Sequence, residues 1–266
     1  MSRLAQCFAE LRLRGGSALV PFVTAGDPDF ETTAAAVVAM AEAGADVIEL
    51  GVPFSDPIAE GPVIQRASER ALAKGANLRK ILDLVRQLRS QIDTPLVLMG
   101  YANPLFAMGS QSFARAASEA GVDGVIVADL PPEEGSELYG ACRDHGIDPI
   151  LLAAPTTAPA RLEFLVRETR GFLYYVSLTG VTGARGELAL GIEEAVQGAR
   201  AFGDVPICVG FGISTPEQAR EVCRYADGVV IGSAIVELVE KATDVGELMD
   251  SVGGFVRSVR SALDAA

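Results

Sequence analysis

The chain has 266 residues, 49% of them hydrophobic, which suffices for one large core, and a single domain over 1–266 is expected. A formal net charge of −13 without any run of Lys or Arg argues against nucleic-acid and anionic-membrane partners, although a small anion can still be held by backbone amides. Cys7, Cys142, Cys208 and Cys223 lie far apart with no C-x-x-C pair, and no signal peptide or membrane-length apolar segment is found; a reduced, cytoplasmic setting is expected, with no zinc cluster or disulfide scaffold.

The opening "MSRLAQCFAELRLRGG" predicts an amphipathic helix with Leu4, Phe8 and Leu11 on one side. Eight short β-like runs follow, at "SALVPFVTAG", "ADVIELGVP", "TPLVLMGY", "VDGVIVADLP", "IDPILLAAP", "GFLYYVSLTG", "VPICVGFGIS" and "ADGVVIGSA". Most are continuously apolar, the pattern of parallel strands buried on both faces. Helical stretches alternate with them, among them "DFETTAAAVVAMAEAG", "LRKILDLVRQLRSQ" and "TPEQAREVCRYA", several opened by Asp, Ser or Thr at an N-cap. The order predicts an α/β fold, a single (β/α)8 TIM barrel with an extra N-terminal helix. The widest gap between runs falls after the second, where "VIQRASERALAKG" predicts an inserted helix. In such a barrel the loops that follow the strands carry function, so the run ends are where chemistry is expected.

The residues missing from those ends narrow the chemistry. The only histidine, His145, precedes a strand on the opposite face, and a structural or surface role is expected for it. The lysines are Lys74, Lys80 and Lys241, none of which directly follows a strand, so a Schiff-base mechanism is not expected. No set of metal-ligand spacings and no G-x-S-x-G appears. Carboxyl acid/base chemistry remains. Glu49 ends the second run in "DVIELG"; sunk in an apolar pocket, its pKa would be raised, which suits a group that delivers and recovers a proton near neutral pH. Glu60 and Asp56 follow in the next loop, where a solvated acid and a plain Ser-Asp-Pro turn are the simpler readings.

Toward the C-terminus, "GFGIST" and "IGSA" each end a strand and lead into a helix, as phosphate sites of barrels do. Gly210, Gly212 and Gly232 permit close backbone approach there, and Ser233 adds a hydroxyl; tight turns alone are the alternative. The glycine-rich "LTGVTGARGELALG" after the sixth run reads as a candidate lid. Phe22, Met99, Tyr101, Ile126, Leu152, Tyr174 and Phe211, at strand ends, would line a flat apolar pocket on the same rim.

Taken together, "ALVPFVTAGDPD", "AGADVIELGVPFSDPIAEGPVIQ", "VLMGYANPLF", "GVIVADLPPEE", "GVTGARGEL" and "VGFGIST...VIGSAIVE", in this order over nearly the whole chain, resemble the tryptophan synthase alpha subunit family. The resemblance implies retro-aldol cleavage of indole-3-glycerol phosphate to indole and glyceraldehyde 3-phosphate in tryptophan biosynthesis. It implies Glu49 as acid/base catalyst, the carboxylate at 60 on the indole N–H, and Tyr174 in the catalytic pocket. Phosphate is then expected on loops carrying Gly183, Gly212, Gly232 and Ser233, with Thr182 in the closing lid. No cofactor is implied in this subunit; pyridoxal phosphate belongs to a partner beta subunit, reached in an alpha2beta2 heterotetramer through Pro53, Asp56, Pro104 and Phe106. The apolar "YANPLFAMG" is read as a loop suited to that contact, with packing across the barrel mouth as the alternative. One departure stands out: the family most often has Asp where this chain has Glu60, one methylene longer. A stand-alone lyase, a non-catalytic activator of a beta subunit and another phosphate-binding barrel are the alternatives.

Overall fold

The computed structural model describes residues 1–176, 185–210 and 212–265. The first half of the chain runs α1 (Arg3–Leu13), β1 (Ala18–Thr24), α2 (Phe30–Glu42), β2 (Ile48–Gly51), α3 (Pro62–Ala73), α4 (Leu78–Leu88), β3 (Leu96–Gly100), α5 (Ala102–Met108), α6 (Ser110–Ala120) and β4 (Gly124–Val127). The second half runs α7 (Ser136–Asp144), β5 (Asp148–Pro149), β6 (Leu151–Ala153), α8 (Pro159–Glu168), β7 (Leu173–Val176), α9 (Arg185–Arg200), β8 (Ile207–Gly210), α10 (Pro216–Val222), β9 (Gly228–Ile231), α11 (Ser233–Lys241) and α12 (Val245–Asp264). Several helices begin where the sequence places a cap: Asp29 accepts from the Thr32 amide at 2.7 Å, Asn77 from Lys80 at 3.2 Å and Asp244 from Glu247 at 2.9 Å.

The strands form one sheet in the order β5-β4-β3-β2-β1-β9-β8-β7-β6, with parallel pairing in each ladder. The two ends of that order, β5 and β6, are separated in the chain by Ile150 alone, so the sheet must curl round on itself into a barrel. The fifth predicted run is thus two short strands broken at Ile150, which still donates to the Val125 carbonyl at 2.9 Å.

Inside the barrel, Val20, Val97, Ile126, Ile150, Phe172, Cys208 and Val230 pack as one cluster with Leu4, Phe8 and Leu11 of α1. The predicted amphipathic helix therefore stoppers the N-terminal end of the barrel with its apolar stripe. The larger cluster lies between the outer face of the strands and the surrounding helices. A third, small one joins Phe22 of β1, Ala67 of α3 and Val236 of α11, with Val63, Ile64 and Met99 against them. This places the inserted helix α3 as a wall over the C-terminal mouth. The guanidinium of Arg70 on α3 secures the wall, holding both oxygens of buried Asp27 at 2.8 Å and reaching Glu240 of α11 at 2.7 Å.

The segment "YANPLFAMG" is a helix, α5, and not the loop expected from sequence. Leu105 is buried by it, while Phe106, one residue on, is 47% exposed, so a helical turn sorts the apolar residues that a loop reading leaves together.

Candidate active site at the C-terminal mouth of the barrel

Strand register places the central carboxyl. Phe22, Glu49 and Val97 are Cα partners across β1, β2 and β3, so Glu49 stands in the same layer as interior apolar side chains. It is 1% exposed, and its Oε2 finds no hydrogen-bond partner among the described residues. An ion in that position would be uncompensated. Burial, with a smaller contribution from the charge of Glu60, pushes its pKa up to about 8, so the group carries a proton at neutral pH. A second buried oxygen without a partner, Thr24 Oγ1, lies at the end of the adjacent strand.

Glu60 approaches from the loop after β2, just ahead of the Gly61 N-cap of α3. Burial raises its pKa, and the Tyr101 hydroxyl, which donates to Glu60 Oε2, works against that rise. The same hydroxyl accepts from the Ala59 amide at 2.9 Å. The Tyr101 ring is 2% exposed and stacks on Phe54 with centroids 5.0 Å apart. At the head of α5, the Ala102 amide donates to Asp129 Oδ1 at 2.8 Å. Sequence reasoning placed Tyr101 on an apolar rim and did not foresee this bond, because its partners are 41 residues apart.

Tyr174, on β7 opposite Cys208 and Leu152, is held protonated by burial and by the proximity of Glu49. A Cβ on Gly210 would run into its hydroxyl, so the absent side chain at 210 makes room for the tyrosine, where sequence suggested room for a ligand. Ile126 is fully buried in the barrel interior, with Met99, Leu152 and Tyr174 packed on the same cluster; it underlies the pocket. Phe22 closes the pocket toward α3 and α11.

The two candidate phosphate loops differ in what their helices leave open. At α10, Thr215 caps the Gln218 amide, and Gln218 Oε1 accepts from the Ser214 and Thr215 amides at 2.9 and 3.2 Å. Its first turn is satisfied internally. Helix α11 begins at Ser233 after Gly232 with no side-chain cap, so its leading amides are the ones available to an anion. Gly212 takes φ +75°, a conformation that favours glycine, which turns the chain sharply between β8 and α10. Gly183, Thr182 and Phe211 lie outside the described residues.

Of the residues expected at a partner interface, Asp56 and Phe106 are exposed and Pro104 is half-buried. Pro53 is buried at the root of its loop and supports that surface from beneath. Ile58, overlooked in the sequence, is 84% exposed two residues after Asp56. An isoleucine between two acids in a proline-glycine loop, where solvent would favour a polar residue, was the available signal. His145 ends α7 with its ring on the Ala141 carbonyl, away from this mouth, and Lys80 and Lys241 are spent on Gly75 and Glu237.

A family profile described as "Tryptophan synthase alpha chain" matches residues 8–259. Among curated relatives, the tryptophan synthase alpha chain of Citrifermentans bemidjiense is 54% identical over 98% of this chain and 97% of its own. That of Geobacter sulfurreducens is 53% identical over 99% of both. The crystal structure of tryptophan synthase subunit alpha from Legionella pneumophila superposes with TM-score 0.93 at 41% identity, covering all of both chains. A chain of tryptophan synthase from M. tuberculosis, in an aminoacrylate-bound form, does so with TM-score 0.88 at 34% identity, covering 99% and 100%.

Proposed function

Since the chain belongs to the tryptophan synthase alpha chain family, lyases that cleave indole-3-glycerol phosphate to indole and glyceraldehyde 3-phosphate, we propose that Glu49 and Glu60 are the two carboxyl groups that carry the cleavage. The partner of such a subunit is the beta subunit, which holds the pyridoxal phosphate; the alpha subunit itself needs no cofactor.

A retro-aldol cleavage needs an electron sink, and here the substrate's own ring provides it. Protonated Glu49 delivers its proton to the ring carbon that bears the glycerol side chain, giving an indolenine cation. The Glu49 carboxylate then takes the proton from the adjacent side-chain hydroxyl as the carbon–carbon bond breaks. The electron pair of that bond returns to the ring, the hydroxyl carbon becomes the aldehyde, and Glu49 ends protonated as it began. Glu60, ionised, accepts from the ring N–H and offsets the positive charge of the cation. Tyr174 lies near both acids and excludes water, Phe22, Met99 and Leu152 hold the flat ring, and Gly232 and Ser233 at the start of α11 take the phosphate. Gly212, Gly183 and Thr182 complete the phosphate loops and the lid in this reading.

The observation that carries it is the buried carboxyl of Glu49, whose Oε2 has no partner among the described residues and whose pKa is pushed up to about 8, in a wall of the same pocket as a second acid. The test is indole release by the complex with the beta subunit. Glu49→Gln is expected to abolish release while still binding glycerol phosphate; full activity in that variant would overturn the assignment. Asp56, Ile58, Pro104 and Phe106 form the proposed docking surface for the beta subunit. A cytoplasmic location is supported by four free cysteines, and no helix among the described residues is long and apolar enough to cross a membrane.

A further inference from the structure

We propose that Tyr101 is a positioning residue for the cleavage, tethering one oxygen of Glu60 so that the other is presented to the indole N–H; this rests on the reading of Glu60 given above. A glutamate has one more rotatable bond than an aspartate would have, and this one hangs from a loop. Left to itself it would sample several places, and misplacement on the ångström scale is costly in a catalytic site.

The structure supplies a restraint. Tyr101 uses both functions of its hydroxyl on the segment that carries Glu60: the O–H donates to the carboxylate, and the oxygen accepts from the Ala59 amide at 2.9 Å. Side chain and backbone of the loop are thereby fixed to one atom. That atom is itself held in place by packing. The ring is buried and stacked on Phe54, and the next residue begins α5 with its amide on Asp129 Oδ1 at 2.8 Å. The Gln65 side chain, donating to the Glu60 carbonyl at 2.9 Å, steadies the other side of the residue. A phenol donor also favours the ionised form of the carboxylate that the reaction uses.

The groups facing Glu60 are Tyr101, Asp129, Glu49 and Tyr174. Burial and the charge of Asp129 oppose its ionisation, and the Tyr101 hydroxyl favours it. Removing the hydroxyl should therefore move the acid limb of the kcat profile to higher pH.

The experiment compares Tyr101→Phe, Glu60→Asp, the double variant and Glu60→Gln in the complex with the beta subunit, following kcat and KM for indole-3-glycerol phosphate against pH. Phenylalanine keeps the ring and its stacking, so folding is preserved. Tyr101→Phe is expected to lower kcat about tenfold, leave KM within about twofold and raise the acid limb. In the Glu60→Asp background, where the shorter side chain reaches the hydroxyl less well, the same change is expected to cost less than about threefold. Equal losses in both backgrounds, or an unchanged kcat and acid limb in Tyr101→Phe, would overturn the proposal. If Glu60→Gln is impaired and Tyr101→Phe is not, only the tether falls; if Glu60→Gln cleaves normally, the role of Glu60 falls and the tether with it.

Discussion

Three aspartates at the N-terminal end of the barrel and Glu49 at the C-terminal end are treated in opposite ways. At the N-terminal end, Asp46, Asp123 and Asp227 each stand just before a strand and accept an amide at the start of the neighbouring one: Leu19 at 2.8 Å, Leu96 at 2.8 Å and Ile207 at 2.9 Å. Each is also paired with arginine, Asp46 with Arg14 and Arg260, Asp123 with Arg3 and Arg89, Asp227 with Arg200. At the C-terminal end, Glu49 is as deeply buried as Asp123 and, among the described residues, has neither an arginine nor a partner for Oε2. Satisfied carboxylates fix strand order and barrel closure. An unsatisfied one stores free energy that its proton and a bound substrate can use. Chemistry is thus concentrated where the fold leaves a polar group wanting.

That contrast can be broken from either end. The largest expected effect is on catalysis: Glu49→Gln should lower indole release by at least about 10³-fold, measured as single-turnover cleavage in the complex, without lowering the melting temperature. Next, Asp123→Ala should destabilise the fold by about 3 kcal/mol in urea unfolding, because Arg89 and the Leu96 amide lose their partner, while kcat per folded molecule stays within about twofold. A fall in kcat as large as that of Glu49→Gln would merge the two ends that the account separates.

A smaller effect sharpens the comparison through pH. The folded pKa of Glu49 lies above its unfolded value, so below the unfolded value both states are protonated and the group adds no pH dependence. Between there and about 8 the unfolded state ionises first, and stability falls as pH rises. Glu49→Gln lacks this slope and should gain about 3.5 kcal/mol over the wild type on going from pH 5 to pH 8 in paired urea titrations. Parallel curves for the two proteins would deny the shift. The smallest expected change is at the rim: Phe106→Asp or Ile58→Asp should weaken beta-subunit binding about tenfold by calorimetry and leave cleavage by the free subunit intact. Unchanged affinity in both would move the docking surface elsewhere.

Much of this was legible in the residues. Buried parallel strands read as apolar runs because both of their faces are covered, and Glu49 stood out because it interrupts one. The break at Ile150 was invisible, since an apolar residue looks the same paired in a ladder or between two strands. Helix α5 was missed because the proline at its third position and the tyrosine at its cap look like loop residues when their neighbours in space are unknown. The Tyr101–Glu60 bond and the bidentate hold of Arg70 on Asp27 join residues more than 40 positions apart, and no local pattern encodes either. The three structural aspartates did leave a signal, an Asp heading an apolar run in "ADVI", "VDGV" and "ADGV". It is a weak signal, because an Asp before a strand looks the same whether it caps a neighbouring strand or faces solvent in a turn.

The most direct test of the claim that Glu49 carries the proton is a carbon-13 NMR titration of glutamate carboxyls in the labelled protein, with Glu49→Gln used to assign the resonance. A resonance absent from the variant and titrating with a midpoint near pH 8 is the predicted result. A Glu49 midpoint near the ordinary carboxylate value, about 4 to 5, would contradict it and leave the barrel mouth without its acid.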